Sequence, residues 1–80
     1  MPVIFSKYPQ IVADVEYCDG KPRINGTRIT VSAILSYLAG GMTTEKMLES
    51  FPQLTQEDVS QALSFAAHQF QEIYLPLKAA

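Results

Sequence analysis

The chain is poor in the residues that crosslink small proteins. Its 80 residues include one cysteine and one histidine. A lone cysteine cannot close an internal disulfide, and Cys18 with His68 cannot supply the four ligands of a structural zinc site. An apolar core alone gives little net stability at this length. We therefore predict a homodimer, and we expect neither a metal nor a cofactor.

Long apolar runs are also missing. The start, "MPVIFSKYPQ", lacks the apolar stretch of a signal peptide, and no segment approaches the length of a membrane span. We expect a soluble, cytoplasmic protein without a membrane partner.

Basic residues are few and unevenly placed. Six Lys and Arg face eight Asp and Glu, for a net charge of -2. This balance argues against a general nucleic-acid binder, which is typically basic. Four of the six cations nevertheless lie in the first 28 residues. If DNA is bound, the contacts predicted are Lys21, Arg23 and Arg28.

The segment from Ile11 to Ile29 favours β structure. "IVADVEY" is rich in β-branched and aromatic residues, and the turn dipeptides Asp19-Gly20 and Asn25-Gly26 follow it. Asn-Gly suits a type I′ turn, which would place Ile24 opposite Thr27. Pro22 limits any strand through it to an edge or a short piece. We predict a small β ribbon.

Three helices follow the ribbon. The first starts at a Thr30 cap and stops at Gly40-Gly41, and the second starts at a threonine cap in "TTEKMLESF" and ends before Pro52. "TQED" has the spacing of a capping box at the start of the third. At 100° per residue, the core face predicted for the third helix comprises Val59, Leu63, Ala66, Phe70, Ile73 and Leu77.

These elements predict one domain over residues 1–80, with a β ribbon at 1–29, a three-helix unit at 30–75 and a tail at 76–80. The fold class is mainly α: a homeodomain-like helix-turn-helix preceded by a short N-terminal β-hairpin. Packing of the helices without any DNA contact is the alternative. The predicted outward residues of the third helix include no Lys or Arg, which argues against reading DNA with that helix.

Side chains outside the predicted core face suggest a dimer or partner interface. On the helical wheel, Phe65 lies away from Val59, on a stripe shared with Gln61 and His68. The apolar end of the chain is suited to a groove on another protein. The predicted interface residues are Phe65, Gln61, His68, Ile73, Tyr74 and Leu75.

Two side chains leave alternatives open. Arg28 could bind a phosphate or a partner carboxylate, or it could donate to carbonyls at the end of a neighbouring helix. Cys18 has no base beside it in the sequence, so a Cys-His nucleophile pair with His68 is disfavoured. We predict that the protein is not an enzyme and has no catalytic residues.

Residues 19–67 resemble the small bacterial family called domain of unknown function four-three-three. The resemblance rests on a Gly-Lys-Pro start, the box Gly26-Thr27-Arg28-Ile29, a helix ending in Gly40-Gly41-Met42, and the segment from Phe51 to Ala66. It implies a homeodomain-like fold and, for many relatives, the antitoxin role in a toxin–antitoxin pair whose partner resembles a PIN-type ribonuclease.

Three functional hypotheses remain. The protein is an antitoxin that blocks a PIN-like ribonuclease toxin and represses its own operon, a DNA-binding regulator without a toxin, or a small dimerisation module. The sign of charge on the third helix argues against the second hypothesis. A nuclease-like neighbouring gene would separate the first from the third.

Overall fold

A computed structural model describes residues 3–71 of the chain. Three helices follow an antiparallel N-terminal sheet, so the fold is mainly helical, as predicted. The strands are β1 (Val3–Phe5), β2 (Tyr8–Ala13) and β3 (Arg23–Ile24), and the helices are α1 (Val31–Ala39), α2 (Thr44–Ser50) and α3 (Gln56–Gln71). None of the helices in this part of the chain has the length and hydropathy needed to span a membrane.

The sheet has the order β1-β2-β3 and is larger than the predicted ribbon. Ile4 pairs with Val12, and Ile11 pairs with Ile24. The sequence did not predict β1, and the strand predicted from Ile11 extended to Tyr17. β2 stops earlier because Asp14 forms a turn: its side chain accepts from the Glu16 backbone N–H at 2.9 Å.

The Asn25-Gly26 turn forms, but it is not the predicted type I′ turn. The Thr27 N–H donates to the Ile24 carbonyl at 3.0 Å. Gly26 has a φ of 82°, whereas Asn25 is not among the positive-φ residues. A positive φ at the second central position alone is typical of a type II turn. β3 has two residues and lies at an edge of the sheet, as expected after Pro22.

Helices α1 and α2 begin at the predicted caps. The hydroxyl of Thr30 accepts from the Ala33 N–H at 3.0 Å, and that of Thr43 accepts from the Lys46 N–H at 3.1 Å. Each bond satisfies a backbone donor that the first helical turn leaves unpaired. After α1 the chain reverses through Gly41, whose φ of 104° is available to glycine at little cost.

The capping box at the start of α3 is confirmed, with aspartate in the reciprocal position. The Thr55 hydroxyl accepts from the Asp58 N–H at 3.1 Å, and the Asp58 carboxylate accepts from the Thr55 N–H at 3.0 Å. Asp58 is buried. Its loss would therefore leave a backbone donor without an acceptor in a partly buried position.

We expect Asp58→Ala to lower the free energy of unfolding by about 1–2 kcal/mol. Asp58→Asn keeps a side-chain oxygen acceptor and should lose less. Urea denaturation followed by circular dichroism measures both variants. An alanine variant as stable as the wild type would show that the capping box contributes nothing.

The core lies between the sheet and the three helices. Its fully buried large side chains are Ile11, Ile24, Ile34, Met47 and Val59. Phe65 also belongs to it, with 6% of its surface exposed. The domain therefore has one contiguous apolar centre to which β2, β3 and every helix contribute.

The predicted core face of α3 is partly wrong. Leu63 and Phe70, which were expected inside, are 43% and 68% exposed, and Phe65, which was expected outside, is buried. The inward face passes through Val59, Ala62 and Phe65, because the sheet packs on α3 and covers its Phe65 side. Ile73 and Leu77 lie outside the described residues.

Candidate functional site

The basic residues near the N-terminus do not form one cluster. Arg23 lies on β3 and Arg28 lies just after the Asn25-Gly26 turn. Their guanidinium carbons lie 4.9 Å and 5.2 Å from the centre of the same Tyr17 ring. Lys21 is exposed and is not part of this arrangement. The fold thus brings two of the three predicted nucleic-acid contacts together.

Arg23 is held in place by the protein. Its Nη1 donates to the Thr27 carbonyl at 3.1 Å, and its guanidinium stacks on Tyr17. Its Nε is buried and has no hydrogen-bond partner among the described residues. Cation–π contact of this kind favours the charged group without pairing it with an anion.

Arg28 is exposed and less constrained. Its backbone carbonyl accepts a weak hydrogen bond from the Cys18 thiol at 3.5 Å. Within residues 3–71, no hydrogen bond joins its guanidinium to a carbonyl at a helix end, so the structural alternative for this side chain finds no support there. Its planar donors are available to a ligand.

Tyr17 is the residue that the sequence interpretation missed. The turn after it, Cys18–Gly20, has φ values of 54°, 57° and 80°, a run of left-handed conformation. Non-glycine residues pay roughly 1–2 kcal/mol each for this conformation. The Tyr17 carbonyl accepts from the Gly20 N–H at 3.0 Å, which closes the turn. An aromatic residue just before a Cys-Asp-Gly turn was the available signal.

An open groove runs beside these side chains, with a volume of about 510 Å³. We call it the arginine groove. Its lining consists of Asp14, Tyr17, Arg23, Asn25, Gly26, Thr27 and Arg28. In the described part of the chain, the only ion pair joins Lys46 and Glu49, so the groove's guanidiniums form none there.

Within residues 3–71, no group of three or more His, Cys, Asp or Glu side chains is placed to hold a metal ion. The groove's polar groups are guanidinium, amide, hydroxyl and a single carboxylate. Such groups are suited to binding an anion through charge-assisted hydrogen bonds.

A second exposed surface lies on α3. Leu63, Ala67 and Phe70 are exposed and recur at the spacing that places them on one face of a helix. We call this surface the α3 stripe. Phe65, the centre of the predicted interface, is not part of this stripe because it is buried.

The other predicted interface residues have partners inside the domain or lie outside its described part. The Gln61 side chain accepts from the Gln10 backbone N–H at 3.0 Å and donates to Glu57 at 2.8 Å. His68 is half-buried, with its ring 6.3 Å from that of Tyr8. Ile73, Tyr74 and Leu75 lie outside the described residues.

Two comparisons with known proteins, one of sequence profiles and one of solved structures, point to the same family. The family profile for the protein of unknown function DUF433 matches residues 11–66. The crystal structure of a DUF433 member protein from Anabaena variabilis ATCC 29413 is similar, with a TM-score of 0.74 and 31% sequence identity. The match covers 80% of this chain and 63% of that protein. Comparison with curated proteins gives no match. Since the profile spans more than half of the sequence, the chain belongs to the DUF433 family.

Proposed function

We propose that this protein is the antitoxin-like component of a bacterial toxin–antitoxin pair, which neutralises a PIN-type ribonuclease and represses its own operon. The observation that carries this proposal is the presence of two separate exposed surfaces of different chemistry. The α3 stripe is apolar, whereas the arginine groove is cationic and polar. A protein that binds both a nuclease and DNA needs two such surfaces. The proposed role involves no catalysis by this chain.

The α3 stripe is the surface we assign to the nuclease. Phe70 exposes 68% of its surface and Leu63 exposes 43%. Apolar side chains spaced along one helix face can insert into an apolar groove of a partner. Complete burial of one such side chain contributes roughly 1.5–3 kcal/mol, which corresponds to about tenfold or more in affinity.

The arginine groove is the surface we assign to DNA. A homeodomain-like arrangement would present the start of α3 to the major groove. That end has Gln56 and the acidic Glu57 exposed, while Asp58 is engaged in the cap. Carboxylates next to phosphates oppose binding, whereas the guanidiniums of Arg23 and Arg28 favour it.

A homodimer is also part of this proposal, although Phe65 no longer supports it. Its support is the small core of a chain that cannot form an internal disulfide. Light scattering at tens of micromolar should give twice the monomer mass. A monomer mass at that concentration would remove the dimer from the proposal.

In cells that express the neighbouring nuclease, we expect Phe70→Glu and Leu63→Glu to abolish growth rescue. Each change places a charge on the α3 stripe while leaving the buried face of the helix intact. Val15→Glu is the matched control, because Val15 is 82% exposed in a different part of the fold. Copurification of the nuclease with each variant measures binding directly.

Full rescue by the double variant Leu63→Glu/Phe70→Glu would exclude the α3 stripe as the inhibitory surface. A DNA-binding regulator without a toxin is the second candidate, and the arginine groove favours it independently of α3. That candidate is preferred if promoter DNA is bound and no nuclease copurifies.

A further inference from the structure

The two arginines of the groove are charged groups that form no ion pair within residues 3–71. Both guanidiniums lie near one tyrosine ring, so they can be no farther apart than the sum of their distances from its centre. In the described part of the chain, neither forms an ion pair. Neighbouring like charges repel each other, and an anion bound in the groove near both would offset that repulsion.

The two guanidiniums differ in freedom. Arg23 is fixed by the Thr27 carbonyl and by the Tyr17 ring, and its buried Nε–H has no acceptor among the described residues. Arg28 is exposed, and within residues 3–71 its guanidinium has one aromatic contact, with Tyr17, and no hydrogen bond. A fixed charge defines where an anion lies, and a free planar donor group can close on it in a bidentate geometry.

We propose that the arginine groove is a phosphate-binding site, in which Arg28 donates to the phosphate oxygens and Arg23 supplies a fixed positive charge beside it. The phosphate belongs either to a nucleic-acid backbone or to a small phosphorylated molecule. The nucleic-acid source rests on the DNA-binding half of the proposed function, whereas the site itself does not.

The charge of the lining bears on the type of phosphate. Arg23 and Arg28 together with the carboxylate of Asp14 leave a single net positive charge. A phosphodiester carries one negative charge, whereas a phosphomonoester carries about 1.5 to 2 at neutral pH. One bound diester would therefore neutralise the groove, whereas a monoester would leave excess negative charge beside Asp14, so we expect a diester to be the ligand.

Nuclear magnetic resonance titration of the full chain tests the site. The probes are a short DNA duplex and inorganic phosphate, each added at low ionic strength. We expect the duplex to shift the amide signals of Gly26 and Thr27 and the Nε signal of Arg28. Arg28→Ala should weaken duplex binding about tenfold or more, and Arg28→Lys should not restore it, because a lysine lacks the bidentate geometry.

Two matched controls remove one positive charge elsewhere. Lys21→Ala changes the same basic segment outside the groove, and Lys46→Ala changes an exposed side chain on α2. Both should weaken binding much less than Arg28→Ala. Equal losses in all three variants would mean that net charge alone attracts DNA, and the site would be rejected. Asp14→Asn should strengthen binding of inorganic phosphate.

The probes separate the two proposals. Shifts at the groove with the duplex support both the site and DNA binding. Shifts with inorganic phosphate alone would support an anion site but contradict the preference for a diester, and they would count against operon repression through this surface. Duplex binding that shifts α3 and leaves the groove unchanged would overturn the site while keeping DNA binding. No shift at the groove with either probe would overturn the site.

Discussion

Phe65→Glu is expected to unfold the domain. The Phe65 ring is 6% exposed and packs edge-on against Phe5 and Tyr8, with ring centres 4.9 Å and 5.5 Å away. Removing a buried phenylalanine costs about 3–5 kcal/mol, and an unpaired carboxylate in its place adds a further penalty. Domains of this kind have a total stability of roughly 5–15 kcal/mol. Helical circular dichroism and a thermal melt measure the loss.

The matched control is Phe70→Glu. Phe70 lies on the same helix, and 68% of its surface is exposed, so the same substitution there should leave the helical signal and the melting temperature nearly unchanged. The opposite pattern, with Phe65→Glu folded and Phe70→Glu unfolded, would restore the helix face predicted from periodicity. It would also contradict the packing of the sheet on α3.

Deletion of residues 1–7 is expected to have the second large effect, although the family profile begins only at Ile11. The deletion removes Phe5 from the ring of Phe65, and it removes β1, whose Ile4 pairs with the buried Val12. Lost apolar burial and aromatic contact together cost about 2–4 kcal/mol. We expect the melting temperature to fall by roughly 10 °C or more.

Lys7→Ala is the control for removing an exposed charged side chain from this segment, since Lys7 lies in the turn between β1 and β2. It should melt within a few degrees of the wild type. Phe5→Ala isolates the aromatic contact and should account for a large part of the loss. A shortened chain that melts at the wild-type temperature would mean that β1 is dispensable for the core.

Helix caps and turns, which form between residues close together in the chain, were determined by the sequence. Thr30, Thr43 and the pair Thr55 and Asp58 cap the helices where they were predicted to do so. The reversal after α1 occurs at Gly41, within the predicted glycine pair. Each of these depends on hydrogen bonds or backbone angles a few residues apart, so local residue types are enough to specify it.

The inward face of α3 was decided by the tertiary structure. Apolar side chains lie on two faces of this helix, so periodicity allowed either Phe65 or Phe70 to be buried. The sheet determines the outcome, because Phe5 and Tyr8 approach α3 on the side of Phe65. β1 itself was missed, since a three-residue strand gains stability only from its neighbour and from the core.

Both the local sequence and the tertiary packing contribute to the arginine groove. The sequence indicated that Arg23 and Arg28 flank a tight turn and that positive charge is concentrated in this part of the chain. In the folded chain, Tyr17 immediately precedes the left-handed turn at Cys18–Gly20 and lies against both guanidiniums. Residue types along the chain determined which charges were available, and the tertiary structure decided which of them share a ring and a groove, because contacts between separate segments depend on how the whole chain packs.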